Sequence, residues 1–218
     1  MKELKYLRIL YISNNFTQNI ALDYLNTNAK VLHITYNSQD ANNILTTKKV
    51  DIIFSEYNDM DFIRKIRNND TNVQFIVFTN QIKKSHLIQS IQLKYIKYLE
   101  LPIKRENLIS ALIDCIQTSD ANKSNIINLK NGYTYDYYNQ ILLKDKEIVL
   151  LSKKENDFFK FMSKRANETI LYKEINETIW KGSMTRDALR SVVKELRKKT
   201  YKELIKNISG TGYRFNLI

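Results

Sequence analysis

The sequence contains only one cysteine, one proline, four glycines and two histidines in 218 residues. A single cysteine, Cys115, can form neither a disulfide within the chain nor a thiolate metal site, so neither is expected. The longest stretch without a charged residue runs from Ile9 to Leu22, which is too short and too rich in asparagine to span a bilayer. The N-terminal residues interleave charged and apolar side chains, unlike a secretory signal. We therefore expect a soluble, cytoplasmic protein with no membrane partner.

Positive charge, in contrast, is abundant and unevenly placed. Lysine and arginine number 35 against 23 acidic residues, for a formal net charge of +12. Residues 123–218 carry +9 of this excess and residues 1–122 carry only +3. Such an excess is typical of a surface that binds a polyanion, and nucleic acid is expected before an anionic membrane as the partner. A basic surface can also be merely solvated. Any nucleic-acid contact is therefore predicted in the C-terminal part.

The first 118 residues alternate short apolar runs with segments of helical spacing. The runs are rich in Ile, Val, Phe and Tyr, as in strands that are buried on both faces. They cover residues 6–12, 31–36, 50–54, 73–78 and 95–99. Five strand–helix repeats predict an α/β domain at residues 1–118, with a parallel, doubly wound sheet. Any ligand crevice of such a sheet lies at the carboxyl ends of its strands.

A change of pattern marks the second domain. Residues 119–124 are short, polar and without periodicity, and they are predicted to be a linker. Four alternating segments separated by turn residues follow between residues 126 and 150 and predict a small antiparallel sheet. The second domain is assigned to residues 125–218.

Three helices and a hairpin are predicted to complete this domain. The helices cover residues 152–165, 172–180 and 185–199. Ser152 and Glu155 have the spacing of a capping box at the start of the first helix. The hairpin, residues 204–217, turns at Gly210-Thr211-Gly212, where positive φ angles are expected. This order of elements predicts an α+β winged helix-turn-helix domain.

The last predicted helix has an apolar face and a basic face. Leu189, Val193 and Leu196 share the apolar face at helical spacing. The basic face carries Arg186, Arg190, Lys194, Arg197 and Lys198. A helix fits the major groove of B-DNA, where Arg and Lys reach guanine edges and phosphates. Lys206 and Arg214, on the predicted hairpin strands, are placed to meet backbone phosphates, so these seven cations are the candidate DNA-binding residues.

Four segments of the C-terminal part resemble the effector domain of OmpR/PhoB-type response regulators. They are LLSKKENDFFKFM, ILYKEINETIW, the segment that ends in VVKELRKK, and ISGTGYRF, within residues 125–218. The resemblance implies sequence-specific binding of double-stranded DNA, with Lys194, Arg197 and Arg214 at DNA-facing positions. Asp187 and Glu195 depart from the family, which usually has basic residues there. Carboxylates at these positions would repel phosphates but can accept a hydrogen bond from cytosine N4.

The N-terminal domain is similar to a receiver domain, the phosphoryl-accepting half of a two-component system. That family has an acidic pair after strand 1, an acceptor Asp after strand 3, a Thr or Ser after strand 4, and Lys-Pro after strand 5. Together these residues hold Mg²⁺ and the phosphoryl group. The corresponding residues here are Asn14, Asn15, Glu56, Thr79 and Leu101, with Tyr98 at the family's aromatic position. The resemblance therefore implies a pseudo-receiver with a degenerate acceptor pocket and no phosphotransfer.

Glu56 allows two interpretations, and both remain open. It can place a fixed negative charge about where a phosphoryl group would lie, with Thr79 as its hydrogen-bond partner, and so hold an active-like state. It can equally be a solvated carboxylate in a decayed pocket.

No residues of the sequence assemble a nucleophile with a base. The phosphate-binding loop, nucleophile-elbow and zinc-protease motifs are missing, and His33 and His86 lack partners at metal-ligand spacing. We therefore predict a non-enzymatic transcriptional regulator that needs no cofactor and no metal. The resemblance implies a homodimer through residues 81–117 of the receiver-like domain. RNA polymerase is considered as a further partner.

Two alternatives belong to other functional classes. One is a regulator that is still phosphorylated, at Glu56, Asp59 or Asp61. The other is a regulator that acts mainly through protein–protein contacts.

Overall fold

The computed structural model describes residues 3–13, 20–55, 60–69, 73–120 and 124–217. The chain divides into two compact units, residues 1–125 and residues 126–218. Within the described ranges, no helix is both long enough and apolar enough to cross a membrane.

The N-terminal unit is a five-stranded parallel sheet with the strand order β2-β1-β3-β4-β5. In chain order its elements are β1 (Arg8–Ile12), α1 (Ile20–Asn28), β2 (Val31–Thr35), α2 (Ser38–Thr47), β3 (Ile52–Ser55), α3 (Met60–Asn69), β4 (Gln74–Thr79), α4 (Lys84–Leu93), β5 (Ile96–Glu100) and α5 (Arg105–Asp120). This confirms the predicted doubly wound fold, and each predicted strand is present with its ends within two residues of the prediction.

Both faces of this sheet are buried, which explains why its strands are continuously apolar. On one face Leu10, Ile53 and Phe75 pack with the buried side chains of α2 and α3. On the other face Tyr11, Phe54 and Phe78 form a ring cluster, with centroids 5.6 to 6.1 Å apart. The alternation of side chains along each strand separates the two sets.

The C-terminal unit is built from two antiparallel sheets and three helices. In chain order its elements are β6 (Ile126–Asn128), β7 (Tyr133–Asp136), β8 (Ile141–Lys144), β9 (Glu147–Val149), α6 (Lys153–Lys164), β10 (Thr169–Leu171), α7 (Tyr172–Ile175), α8 (Arg186–Lys199), β11 (Ile205–Ile208) and β12 (Gly212–Phe215). The sheet orders are β6-β7-β8-β9 and β10-β12-β11. The winged helix-turn-helix arrangement is therefore confirmed, with β10 as an additional strand that the sequence did not predict.

The boundary between the units differs slightly from the predicted linker. Helix α5 continues to Asp120, and neither proline nor glycine interrupts it. Within it the Thr118 hydroxyl donates to the Asp114 carbonyl at 2.8 Å. Asn125 lies in the N-terminal unit, where its buried side chain accepts a hydrogen bond from the Tyr95 N–H at 2.7 Å.

The second helix of the C-terminal unit also differs from its prediction. It is α-helical only over Tyr172–Ile175 and continues as one turn of π-helix, Asn176–Trp180. The turn is held because the Asn176 side chain accepts from the Met184 N–H at 2.8 Å. Lys181, with φ 53°, ends it in the left-handed region.

The two hairpin glycines are required for different reasons. Gly210 has φ +70°, as expected in the turn. Gly212 does not have the predicted positive φ and lies in β12. A Cβ at Gly212 would lie 1.9 Å from the Ile170 carbonyl oxygen, so glycine is needed there because the backbone of β10 comes so close.

Glu155 joins α6 to α8. The predicted capping box is confirmed, since the Glu155 carboxylate accepts from the Ser152 N–H at 2.6 Å. The same carboxylate oxygen accepts from Lys199 Nζ at 2.7 Å. Burial raises the pKa of the Glu155 carboxyl, but the hydrogen bonds from Lys199 and Ser152 outweigh burial, so the net shift of the pKa is downward.

Replacing Lys199 with methionine should lower the free energy of unfolding at pH 7 by about 1–3 kcal/mol, because a buried carboxylate then loses its counter-charge. A carboxyl whose pKa is lower in the folded state stabilises the protein above its unfolded pKa and loses that contribution as the pH falls through the folded pKa. The difference between the wild type and Lys199→Met should therefore shrink in urea titrations at pH 4. Lys198→Met, at the exposed neighbour, serves as the control and should change stability by less than about 0.5 kcal/mol. Equal losses in the two variants would contradict this role of Glu155.

Candidate nucleic-acid interface

The rotation of α8 is set by its cap and by its apolar stripe. The Thr185 hydroxyl accepts from the Ala188 N–H at 3.1 Å and begins the helix. Leu189, Val193 and Leu196 are buried and hold this side against the core. The opposite side of α8 is therefore turned away from the protein.

Four exposed residues form the outermost stripe of α8. Because an α-helix turns by about 100° per residue, the side chains of these four residues point within about 50° of the direction opposite the core. They are Asp187, Ser191, Lys194 and Lys198. Arg186 and Arg190 are exposed on the flank beside the closing hairpin, β11–β12. The structure therefore places four of the predicted cations together on the accessible side of one helix.

A groove of about 650 Å³ runs between α8 and the hairpin. Its basic and polar lining residues are Arg190, Lys194, Arg197, Lys198, Lys202 and Asn207. A second hollow of about 400 Å³ lies nearer the hairpin turn and is lined by Arg186, Arg190, Asn207, Ser209 and Gly210, among others. These cations create a field that favours an anionic ligand along this side of the unit.

Arg197 differs from the other predicted cations because it is partly buried and hydrogen-bonded to the backbone. Its Nε and Nη2 donate to the Ile205 carbonyl at 2.9 and 2.5 Å. Ile205 is the first residue of β11, so this pair of bonds holds the hairpin against α8. Arg197 therefore positions the hairpin, in addition to lining the groove.

Lys206 and Arg214 lie on the face of the hairpin that is turned away from α8. They are directly opposite each other across β11 and β12, whereas Asn207 and Tyr213 form the next pair and face the α8 groove. Side chains alternate between the faces of a sheet, so the two pairs point in opposite directions. The structure therefore does not bring Lys206 and Arg214 together with the cations of α8. We call the side that carries Lys206 and Arg214 the outer face of the hairpin.

The outer face is organised by Arg214. Its Nε and Nη2 donate to the Thr169 hydroxyl on β10, at 3.1 and 2.7 Å. Lys130 and Tyr201 line a hollow of about 400 Å³ together with Lys206 and Arg214. Among the described residues, neither Lys206 nor Arg214 forms an ion pair.

Several further residues that were not predicted from the sequence line the groove or the second hollow. Tyr172 donates from its hydroxyl to Asn207 Oδ1 at 2.9 Å and so joins α7 to the hairpin. Burial raises the pKa of the Tyr213 hydroxyl, which keeps it protonated as a donor. Asn207 and Tyr213 could have been identified from the hairpin register, but Lys202 lies in a short 3₁₀ turn, Lys202–Leu204, that carries no periodic signal.

Of the predicted acceptor-pocket residues, Asn14, Asn15 and Glu56 lie outside the described residues, as does Asp59. The described strand ends carry hydroxyl groups, on Ser13, Thr35, Ser55 and Thr79. The Thr79 hydroxyl donates to the Gln81 carbonyl at 3.0 Å, and Leu101 is 37% exposed. No cluster of three or more His, Cys, Asp or Glu able to hold a metal ion occurs in the described part of the chain.

Tyr98 points into the N-terminal unit. It is buried, and its ring stacks on His86 at a centroid distance of 5.4 Å. Its hydroxyl lies 3.8 Å from the Met60 sulfur. His86 Nδ1 accepts from the Lys83 N–H at 3.3 Å at the start of α4, and burial, with the Lys83 charge, lowers the pKa of His86. A neutral His86 therefore caps α4 and covers Tyr98.

Residues 145–215 match the family model described as "Transcriptional regulatory protein, C terminal". The matched residues make up most of the C-terminal unit. The match includes α6, α7, α8 and the hairpin, and therefore the whole α8 groove. No curated protein matches the sequence.

Solved structures extend the similarity to the whole chain. The crystal structure of the response regulator DrrB, a Thermotoga maritima OmpR/PhoB homolog, is 16% identical and has a TM-score of 0.68, with 97% of this chain and 99% of that chain covered. A redox sensor of the streptococci that evolved from two-component response regulators is 16% identical, with a TM-score of 0.43 and coverages of 96% and 99%. The similarity to DrrB shows that the chain has the fold of OmpR/PhoB-type response regulators.

Proposed function

We propose that this protein is a transcriptional regulator that binds double-stranded DNA sequence-specifically, as a homodimer and without phosphorylation. The observation that carries the proposal is the placement of Arg186, Arg190, Lys194 and Lys198 on the accessible side of α8, beside the groove at the hairpin. An α-helix that presents its polar side in this way fits the major groove.

Docking α8 in the major groove brings the hairpin turn toward the adjacent minor groove. Lys202 and Asn207, which line the α8 groove, are then the nearest additional partners for phosphates. The ion pairs Asp187–Arg190, at 3.5 Å, and Glu195–Lys198, at 2.7 Å, are exposed. Exposed pairs are weak, so these cations remain available to the nucleic acid.

Replacing Lys194 and Lys198 together by alanine should weaken DNA binding and reduce the slope of log K against log salt by about 2, because each lost phosphate contact removes about 0.9. The measurement is affinity for a duplex selected from random sequence, by fluorescence anisotropy across a salt series.

The matched control removes two lysines from the other side of the hairpin, in the double variant Lys130→Ala, Lys206→Ala. It should leave both the affinity and the salt slope near those of the wild type. Equal losses in the two double variants would show that the outer face also contacts DNA, and an unchanged slope in the α8 variant would overturn the assignment of α8.

The outer face suits a different partner. Its cations Lys206 and Arg214 have no ion pair among the described residues and are turned away from α8. Under this proposal they bind an acidic surface of a second protein, for which RNA polymerase is the candidate.

Independence from phosphorylation is supported by the residues at the carboxyl ends of the strands. Leu101 cannot supply the positive charge that pairs with a phosphoryl group, and Asn14 and Asn15 lack the charge that attracts Mg²⁺. The Thr79 hydroxyl donates to the backbone of its own loop.

Incubation with acetyl phosphate and Mg²⁺ should give no phosphoryl adduct in intact-mass spectra, because the metal and the acyl phosphate both lack their charged partners. DNA affinity measured before and after the treatment should be the same. A stable adduct on Glu56, Asp59 or Asp61 would instead establish the phosphorylated alternative.

Dimerisation through the N-terminal unit is supported by apolar side chains beside β5, an edge strand of the sheet. Ile88 and Ile91 on α4 are half-buried, and Ile113 on α5 is 36% exposed. Apolar surface at one edge of a soluble domain is typical of an interface. A second copy of the chain is the occupant that the resemblance implies.

The substitution Ile113→Asp should convert a dimer to a monomer in sedimentation velocity at micromolar concentration, because it places a charge in the apolar contact. Ile34→Asp is the matched control, since Ile34 is 46% exposed on β2 at the opposite sheet edge. A monomeric wild type, both free and on DNA, would overturn the dimer.

A further inference from the structure

The outermost stripe of α8 begins with a negative charge. Asp187 is in the first turn of the helix, and its side chain is 92% exposed. Further along the stripe, beyond Ser191, Lys194 and Lys198 are cations. In a helix that docks in the major groove, the first residues are those that meet base edges. Asp187 therefore occupies a base-contacting position if α8 binds DNA as proposed above.

A carboxylate at this position opposes binding to a polyanion unless it meets a hydrogen-bond donor. An acidic residue in the first turn also stabilises a helix through its dipole, but that effect does not depend on which way the side chain points. Asp187 points away from the core, where DNA would be. Among the described residues its partner is Arg190, at 3.5 Å, so the carboxylate keeps accepting capacity for a donor on the ligand.

Base chemistry limits what that partner can be. An ionised carboxylate only accepts hydrogen bonds. In the major groove guanine presents two acceptors and thymine an acceptor and a methyl group, so neither suits Asp187. Adenine has an amino group, but the acceptor N7 lies beside it. Cytosine presents the N4 amino group with no neighbouring acceptor on the same base, and it is the base that carboxylates read.

Arg190 lies one turn further along α8 on the same side. Its Nη1 is 3.5 Å from Asp187 Oδ1, and the side chain is 70% exposed. Arginine reads the O6 and N7 acceptors of guanine with two hydrogen bonds. The carboxylate and the guanidinium therefore match the donor and the acceptors that one C·G pair presents.

We propose that Asp187 and Arg190 act together to require a C·G base pair in the DNA site, with Asp187 accepting from cytosine N4 and Arg190 donating to guanine O6 and N7. This inference rests on the proposed function, and it names the sequence class that the same site recognises. The contact with Asp187 makes that residue a determinant of specificity, with little net contribution to affinity.

The test is selection from random duplexes by the full-length wild type, by Asp187→Asn and by Glu203→Gln, followed by affinities for duplexes that differ at one position. Glu203→Gln is the control because it removes one exposed carboxylate from the hollow on the outer face of the hairpin. The wild type should prefer C·G at one position of each half-site by about tenfold. An asparagine side chain can pair with adenine N6 and N7, so Asp187→Asn should relax the cytosine requirement and raise the share of adenine at that position. The shift should be partial, because an A·T pair lacks the guanine that Arg190 reads.

The control should keep the wild-type motif at every position. If Asp187→Asn also keeps it and only its melting temperature falls, Asp187 serves the helix dipole alone and the inference is overturned. If the wild type selects a motif with no C·G requirement, the inference is likewise wrong while the proposed function stands. If the wild type enriches no motif, the proposed function fails, and the inference fails with it.

Discussion

The burial of Leu189, Val193 and Leu196 decides which side of α8 faces away from the core, and the rest of the candidate interface depends on this. Once these three side chains face the core, the helix has no freedom of rotation, and the outermost stripe is determined by the spacing of the sequence. Glu155 contributes to the same constraint from α6, through its bond to Lys199 at the end of α8. The cations of α8 are therefore held on a rigid element, as a site that discriminates between base sequences needs.

A second constraint comes from the period of two along the hairpin strands. It places Asn207 and Tyr213 beside α8 and sends Lys206 and Arg214 to the outer face. The two faces of one short hairpin thereby belong to different surfaces, the α8 groove and the outer face. Arg197 connects this hairpin to the helix, since its guanidinium bonds the first carbonyl of β11. The helix and the hairpin are thus parts of one interface.

Much of this architecture could be predicted from the sequence, because the signals are local. Strands buried on both faces are continuously apolar, and helix α8 shows its two faces at helical spacing. Strand β10 could not be predicted, since its three residues are too short for a period and its place is defined by pairing with β12. The sequence alone could not show that Arg197 has a different role from Lys194. The partner of Arg197 is a backbone carbonyl that only the folded hairpin brings near.

The predicted acceptor pocket shows a second limit on what the sequence can predict. The residue types at its predicted positions can be read from the sequence, and Leu101 is one basis of the proposal that this domain is not phosphorylated. The hydrogen bond between Thr79 and Gln81 could not be read, because it depends on how the loop after β4 turns. The proposed specificity of α8 depends on the residue type at position 187 and on the direction of its side chain. The sequence gives the residue type, Asp187, whereas the direction comes only from the structure.

The position of Lys206 directly opposite Arg214 has one more consequence. Like charges that face each other across two strands destabilise the pairing, and dissolved ions screen that repulsion. Added salt therefore strengthens the hairpin, whereas it weakens attraction between α8 and a polyanion. The stability of the hairpin and the attraction of α8 for a polyanion therefore depend on ionic strength with opposite signs.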